Sequence, residues 1–302
     1  MDAAALLTSA RAGLGRLARS ALGPRAGRPR ASARVGLTLV GLLVAFAVLG
    51  PVVAPNDPYT SDFARGVTPE HLPVGPSREF WLGTDRLFRD VFARLATGAR
   101  LSLSIGVTAT ALATAVGSVV GVLAGWYEGR WLDTLLMRVV DVGLAFPFLL
   151  IVMALGAALD RTTATTIFLT LGLTGWLGVA RIVRSKTLQV RSLDYVVAAR
   201  ALGQSTPRVL VRHVLPNVAG PVVVIATILV AQMILAESVL SYLGAGIAPP
   251  TPTWGHMLFE GQDYLGAAPW ITAAPGVAIL LSVLGFNLLG EGLRDALDPR
   301  KS

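Results

Sequence analysis

The sequence predicts an all-α integral membrane protein with six transmembrane helices and a cytoplasmic helix-turn-helix between the fourth and fifth. Of its 302 residues, 53% are hydrophobic and only 15% are charged, whereas a soluble domain carries about 25% charged residues. Six runs without a charged residue are long enough to cross a bilayer, since about 20 helical residues span its core. The net charge of +8 is concentrated in segments that this fold places on one side of the membrane.

The six charge-free runs define the predicted spans. They are 35–53, 101–127, 142–159, 162–180, 214–236 and 264–290. A seventh uncharged run, 238–259, contains Pro249, Pro250 and Pro252. Because proline lacks a backbone donor and breaks helices, most of this run is interpreted as an extramembrane loop.

The charges of the loops predict the orientation, because Lys and Arg accumulate on the cytoplasmic side. The first 34 residues contain seven arginines and one acid, and 181–213 contains seven Lys or Arg residues and one acid. Both chain termini are therefore predicted to be cytoplasmic, and this topology explains the positive charge without nucleic-acid binding. The predicted units are a basic tail 1–34, a first span 35–54, an extracytoplasmic loop 55–100, a five-span core 101–296 that includes a loop 185–216, and a tail 297–302.

Several kinds of chemistry are excluded by composition and spacing. The chain has no cysteine and its three histidines lie far apart, so thiol chemistry and a histidine metal site are not expected. Lys186-Thr187 lacks the glycines of a phosphate-binding loop, and no histidine lies in a predicted span to serve an intramembrane enzyme. A transporter working alone usually has internal repeats, and none is apparent here. The chain is expected to be non-catalytic and to hold no cofactor of its own.

The basic segment 192–216, SLDYVVAARALGQSTPRVLVRHVLP, is too charged to enter lipid. Ser192 is predicted to cap a helix that begins at Leu193. Gly203 stands where the end of a helix takes a left-handed residue. A first short helix is therefore predicted between these two positions.

A second short helix is predicted to follow it. Thr206 and Pro207 have the pattern of an N-cap and a first helical position, and Pro216 is expected to end the helix. The small residues Ala198 and Ala199 would let another surface approach closely. The alternative is an amphipathic helix that rests on lipid headgroups.

This segment carries a resemblance to a known family. YVVAARALGQSTPRVLVRHVLPN resembles the E-A-A…G…L-P cytoplasmic loop of permease subunits in binding-protein-dependent ABC importers. Four further stretches are similar to the C-type permeases for dipeptides, oligopeptides and nickel. They are WLGTDRLFRDVFARLATGAR (81–100), MRVVDVGLAFP (137–147), LAESVLSYLGAGIAPPTPTWG (235–255) and LGFNLLGEGLRDALDPR (284–300).

The resemblance implies one half of a two-permease pore in the inner membrane of a bacterium or archaeon. The implied partners are a second, homologous permease, two ATPase subunits that bind ATP and Mg²⁺, and an extracytoplasmic substrate-binding protein. The implied substrates are dipeptides or oligopeptides, with nickel or another small solute as the alternative. The residues implied to form the coupling element that docks on an ATPase are Asp194, Tyr195, Val197, Ala198, Ala199, Arg200, Gly203, His213, Leu215 and Pro216.

One position departs from the family pattern. Val197 stands where the family has glutamate, so the acidic contact made there is lost. Asp194 lies three residues earlier, on the same face of a helix. The hypothesis is that Asp194 supplies the acidic docking contact.

Three polar residues in or near the spans are candidates for lining or gating the pathway. Asp141 is expected to pair with Arg138 at the interface, with a pathway contact as the alternative. Glu237 faces either the pore or the outer interface. Asn287 is expected to hydrogen-bond to a neighbouring helix, with a substrate contact as the alternative. Charged groups there are notable because they cost about 2.5–3.5 kcal/mol at the centre of a span.

Two outer segments, 57–100 and 247–254, are rich in turn residues. Each is interpreted either as a self-packed cap or as a contact for the binding protein. The sequence does not favour one of the two for the longer segment. For the shorter, proline-rich segment a rigid loop is the first interpretation.

Overall fold

The computed structural model describes residues 29–158 and 163–297. Most of the two predicted tails (1–28 and 298–302) and the predicted outer turn at 159–162 lie outside the described residues. Within the described ranges every regular secondary-structure element is a helix, and ten of these are α-helices. They are α1 (Pro29–Val53), α2 (Val91–Trp126), α3 (Trp131–Ala145), α4 (Phe148–Ala158), α5 (Ala164–Arg191), α6 (Asp194–Ala201), α7 (Thr206–Val209), α8 (Leu215–Tyr242), α9 (Trp254–Gly261) and α10 (Trp270–Leu297).

Five helices in the described ranges are long and apolar enough to cross a membrane. They are α1, α2, α5, the continuous helix Thr206–Tyr242 and α10. The pair α3 and α4 passes the same test together but is bent by 92°, which gives up to six spans if the pair counts as one. The structure therefore supports a multi-pass membrane protein, with a bent pair at the position of the predicted third span.

The predicted third span, 142–159, is not one continuous helix in the structure. α3 ends at Ala145, Phe146 is extended (φ −97°, ψ 142°), and α4 begins directly after Pro147. Proline cannot donate to the helix and disfavours helical geometry at the preceding residue, so it divides the run. The charged stretch before the break, which lies between the second and third charge-free runs, belongs largely to the helix α3.

The second span begins ten residues earlier than predicted, at Val91 and not at the end of the charged run. Asp90 caps α2 by accepting a hydrogen bond from the backbone N–H of Ala93 (3.0 Å). Arg100, taken as the limit of the loop, donates to the carbonyls of Ala47 and Val48 at the end of α1 (both 2.7 Å). Its charge is therefore bound by backbone oxygens within the helix bundle.

Close packing between α2 and α5 depends on three glycines spaced four residues apart. A Cβ atom added to Gly117 would lie 2.6 Å from Val179 of α5, and one added to Gly125 would lie 2.7 Å from Thr187. A Cβ atom added to Gly121, between them, would lie 2.6 Å from both Ala180 and Val183. Small residues at such spacing allow membrane helices to approach closely and gain dispersion contacts. This contact fixes the second half of α5 against α2.

The loop 54–90 is a self-packed cap joined to α9 by a buried ion cluster. Glu260 of α9 accepts hydrogen bonds from Arg89 (2.8 and 3.0 Å) and from Arg94 of α2 (2.9 Å). Asp85 accepts from Arg89 (2.7 Å) and lies 3.1 Å from Arg94. All four side chains are at most 5% exposed. Buried charges are tolerated only when paired in this way.

More of the uncharged run 238–259 is helical than predicted. α8 continues to Tyr242 and α9 begins at Trp254, which leaves 243–253 between them. Thr253 caps α9 by accepting from the N–H of His256 (3.2 Å), and the indole of Trp254 donates to the carbonyl of Leu95 (3.1 Å). These contacts bind α9 to α2.

Replacing Gly121 by alanine is expected to destabilise the protein by about 1–3 kcal/mol, the usual cost of overpacking. Its Cβ would meet the backbone oxygen of Ala180 and the Cβ of Val183, both at 2.6 Å. Thermal unfolding in detergent measures the effect. Gly41→Ala on α1 is the control, since nothing lies within 4 Å of its added Cβ. Equal melting temperatures for the two variants would contradict the packing argument.

The ion cluster is expected to make stability pH-dependent through Glu260. Burial alone would raise the pKa of this carboxyl, but the approach of His256 Nε2 (3.6 Å) and the charges of Arg94 and Arg89 outweigh it and lower the pKa to about 2. A lowered pKa stabilises the fold above the ordinary value of 4.5, and the contribution is lost as pH falls toward 2.

Thermal unfolding between pH 7 and pH 3 tests this expectation. Glu260→Gln should cost about 3–5 kcal/mol at pH 7, because it leaves the two buried arginines of the cluster with one carboxylate, Asp85, and should remove much of the loss on acidification. Glu79→Gln, in an exposed part of the same loop, should behave as wild type. Equal pH dependence of the wild type and Glu260→Gln would refute the assignment.

Candidate functional site

The basic segment 192–216 contains two helices joined by a turn at Gly203, as predicted. Gly203 has φ +80°, the left-handed conformation that glycine adopts without strain. Its N–H donates to the carbonyl of Arg200 (3.0 Å), and the N–H of Gln204 donates to the carbonyl of Ala199 (3.1 Å). These bonds satisfy carbonyls at the end of α6 and close the turn.

The predicted starting residues of both helices are displaced. Ser192 does not cap α6; it ends α5, and its hydroxyl donates to the carbonyl of Gln189 (2.9 Å). The N-cap of α6 is Leu193, without a side-chain hydrogen bond. In the second helix Ser205 is the N-cap, so Thr206 is already helical.

Pro216 does not end the second helix, contrary to expectation. A π-helical turn, Leu210–Val214, joins α7 to α8, and the N–H of Leu215 donates to the carbonyl five residues back, at Leu210. The wider turn accommodates a proline, whose ring would clash with the carbonyl four residues earlier in a regular helix. The second half of the basic segment and the span α8 are therefore one 37-residue helix.

The predicted docking residues divide between an outer and an inner face. Ala199 packs inward with Val196, and His213 is half-buried, with its ring centroid 5.9 Å from that of Tyr195. The others are exposed; they are Asp194, Tyr195, Val197, Ala198, Arg200, Gly203, Leu215 and Pro216. Asp194 and Val197 lie on the same exposed face of α6, as the substitution hypothesis requires.

Arg200 and Arg191 tie the basic segment to the end of α2. The guanidinium of Arg200 lies 5.3 Å from the ring centroid of Trp126, a cation–π arrangement. Arg191 donates to the carbonyl of Trp126 (2.8 Å) and pairs with Glu128 (3.0 Å). The expected pairing of Arg200 with acids of a partner stays a prediction. We call this end of the bundle the basic end.

A largely apolar cavity of about 620 Å³ lies between the bent pair, α5 and α8. Leu144, Phe148, Ile182 and Met233 are among its lining residues, and the only polar side chains in the lining are Thr174 and Gln232. Within the described ranges, no group of three or more acidic or histidine side chains is placed to hold a metal ion. The cavity therefore offers apolar surface and a few uncharged hydrogen-bonding groups.

Asp141 pairs with Arg181 of α5 (2.6 Å) and not with Arg138 as expected. Asp141 precedes the cavity residue Leu144 by one helical turn, and Arg181 follows the cavity residue Gly178 by one turn. Because residues three apart share a helix face, the pair lies beside the cavity. Both side chains are about half exposed, and Asp141 remains a candidate for the pathway.

The other two polar candidates do not line this cavity. Glu237 is fully buried and accepts hydrogen bonds from Ser241 (2.7 Å) and from Ser102 of α2 (3.2 Å). Its carboxyl is enclosed by the chain's own residues, and a role in the pathway stays a prediction. Asn287 is exposed, and within the described part of the chain no hydrogen bond to a neighbouring helix is found for it.

Gln232 is the wall residue that the sequence reasoning missed. It is an uncharged amide within the charge-free run 214–236, so the pattern of charged residues does not identify it. The usable signal was a strongly polar group near the middle of an apolar helix, where an unpaired amide is costly.

Comparison with known proteins agrees with this architecture. The family described as binding-protein-dependent transport system inner membrane component matches residues 117–302, and the N-terminal TM domain of oligopeptide transport permease C matches residues 30–73. A chain of the MetNI methionine ABC transporter, in a structure described as inward-facing, has a TM-score of 0.57 at 19% identity and covers 68% of this chain and 96% of that one. That similarity shows the fold alone.

Curated relatives match over most of their length. The dipeptide transport system permease protein DppC of Alkalihalophilus pseudofirmus is 38% identical, covering 88% of this chain and 85% of that protein. The oligopeptide transport system permease protein OppC of Bacillus subtilis is 38% identical (89% and 85%), and the di/tripeptide transport system permease protein DppC of Pseudomonas aeruginosa is 40% identical (88% and 87%). The chain thus belongs to the family of inner-membrane components of binding-protein-dependent transport systems and is a permease subunit of an ABC importer.

Proposed function

We propose that the chain forms half of the translocation pathway of an ATP-driven importer for short peptides. The observation that carries the proposal is 38–40% identity, over nearly nine-tenths of the chain, to permeases named for dipeptides, di/tripeptides and oligopeptides. The apolar cavity beside α5 and α8 is of a size typical for small ligands, about 300–1,000 Å³. A second, homologous permease completes the pathway, and an extracytoplasmic binding protein delivers the peptide.

ATP hydrolysis in partner subunits is coupled to transport at the basic end. The exposed face of α6 docks on an ATPase subunit, and two such subunits bind ATP and Mg²⁺, because this chain has no phosphate-binding loop of its own. The docking turn leads into a helix that is continuous with α8, which lines the cavity. Movement of the docked turn is therefore passed directly to the cavity wall.

The proposed topology has six spans, with the bent pair counted as one. The arginine-rich first 34 residues and the basic segment favour cytoplasmic placement of both termini and of α6. The cap 54–90 and α9 then face the outside. They are positioned to meet the binding protein.

The proposed function predicts ATP-dependent peptide uptake. The chain is reconstituted in proteoliposomes with its second permease, its ATPase subunits and the binding protein, and uptake of labelled dipeptide, tripeptide and Ni²⁺ is compared. Peptide accumulation that needs ATP and the binding protein is the expected result. Uptake of Ni²⁺ without peptide would replace the substrate assignment, and uptake by this chain without ATPase subunits would overturn the importer role.

Asp194→Ala is expected to weaken association with the ATPase subunit by about tenfold, the effect of one hydrogen bond to a charged group. Adding Val197→Glu should restore association, since both positions lie on the exposed face of α6. Association is measured by titrating ATPase subunits onto the permease pair in nanodiscs, followed by transport assays. Asp263→Ala, outside the basic segment, is the control. Unchanged recruitment of the ATPase subunit and unchanged transport in Asp194→Ala would refute the hypothesis that Asp194 supplies the acidic docking contact.

A further inference from the structure

Gln232 has a hydrogen-bonding capacity that the described part of the chain leaves unused. Its exposed side chain lies in the wall of the cavity, and no hydrogen bond from its amide to the described residues is found. The amide offers two N–H donors and a carbonyl acceptor. Its wall neighbours one helical turn away, Ile228, Leu229, Leu235 and Ala236, are all apolar.

The other polar group in the wall is already used. The hydroxyl of Thr174 donates to the carbonyl of Thr170 on its own helix (2.7 Å). Gln232 is therefore the wall side chain with both free donors and a free acceptor among the described residues. An unpaired amide facing hydrocarbon is costly, so the position is suited to a polar occupant of the cavity.

The free amide matches the one group that all peptides share. A peptide bond presents one N–H and one carbonyl, and a glutamine side chain can donate to that carbonyl and accept from that N–H. Such a contact is independent of the peptide's side chains, and the surrounding wall carries no charge that would select among them. We propose that Gln232 hydrogen-bonds the backbone amide of the peptide as it passes through the cavity. This inference rests on the proposed peptide substrate.

The test compares a dipeptide with its depsipeptide, in which an ester oxygen replaces the N–H. Uptake of each is measured in proteoliposomes containing the complete transporter and saturating amounts of loaded binding protein. Any preference of the binding protein contributes equally to the wild type and the variants. The ratio of dipeptide to depsipeptide uptake, compared between variants, therefore isolates the permease.

Gln232→Met keeps the length of the side chain and removes its hydrogen bonds. We expect dipeptide uptake to fall by about tenfold and depsipeptide uptake by much less, so the ratio falls. Gln232→Glu keeps an acceptor for the peptide N–H. We therefore expect its ratio of dipeptide to depsipeptide uptake to stay near that of the wild type. Thr227→Val is the matched control, because Thr227 lies on the same helix outside the lining and its hydroxyl donates to its own helix (2.9 Å).

A ratio that is unchanged in Gln232→Met overturns the inference, whether or not uptake falls. So does a lower yield of the permease pair on size-exclusion chromatography with an unchanged ratio, which would assign Gln232 to the contact with the second permease. Failure of the peptide function itself is distinguishable. It would appear as absence of dipeptide uptake by the wild type and would overturn both proposals.

Discussion

The glycine-mediated contact between α2 and α5 is the constraint on which the other features depend. With Gly117, Gly121 and Gly125 against it, α5 lies too close to α2 for any side chain to intervene. This closeness brings Arg191 to the last carbonyls of α2. The same helix supplies one wall of the cavity and Arg181, the partner of Asp141. Cavity, ion pair and basic segment are therefore held in one rigid frame.

Two prolines act on this frame in opposite ways. Pro147 breaks its helix and bends the pair by 92°, because the residue before it becomes extended and no wider turn forms. Pro216 is accommodated by the π-helical turn and leaves the helix continuous. Local sequence predicts that proline disturbs a helix, but whether the chain bends or inserts a π turn depends on its packing. The outcome at Pro216 connects the basic segment to the cavity wall through one continuous helix.

For the five long helices that can cross a membrane, the sequence predicted the apolar centre more accurately than the ends. Charge-free runs locate the apolar centres, but Arg94 and Arg100 lie inside α2 because Glu260 and two carbonyls of α1 receive them. These partners are distant in sequence, as is Arg181 for Asp141, so local spacing pointed to the wrong pair. The turn at Gly203 was predictable because its requirement, a positive φ, is local.

Glu237 and Gln232 show why the cost of burial alone does not identify a functional polar residue. They lie five residues apart on α8. Glu237 was predicted as a pathway candidate because a charged group in a span is energetically costly. Glu237 is nevertheless satisfied by two serine hydroxyls and fully enclosed. Gln232 carries no charge, lies in the cavity wall and has no side-chain hydrogen-bond partner among the described residues. Under the proposed function, such unused hydrogen-bonding capacity suits a pathway for many peptides, because a group already paired within the fold has nothing left to offer a passing substrate.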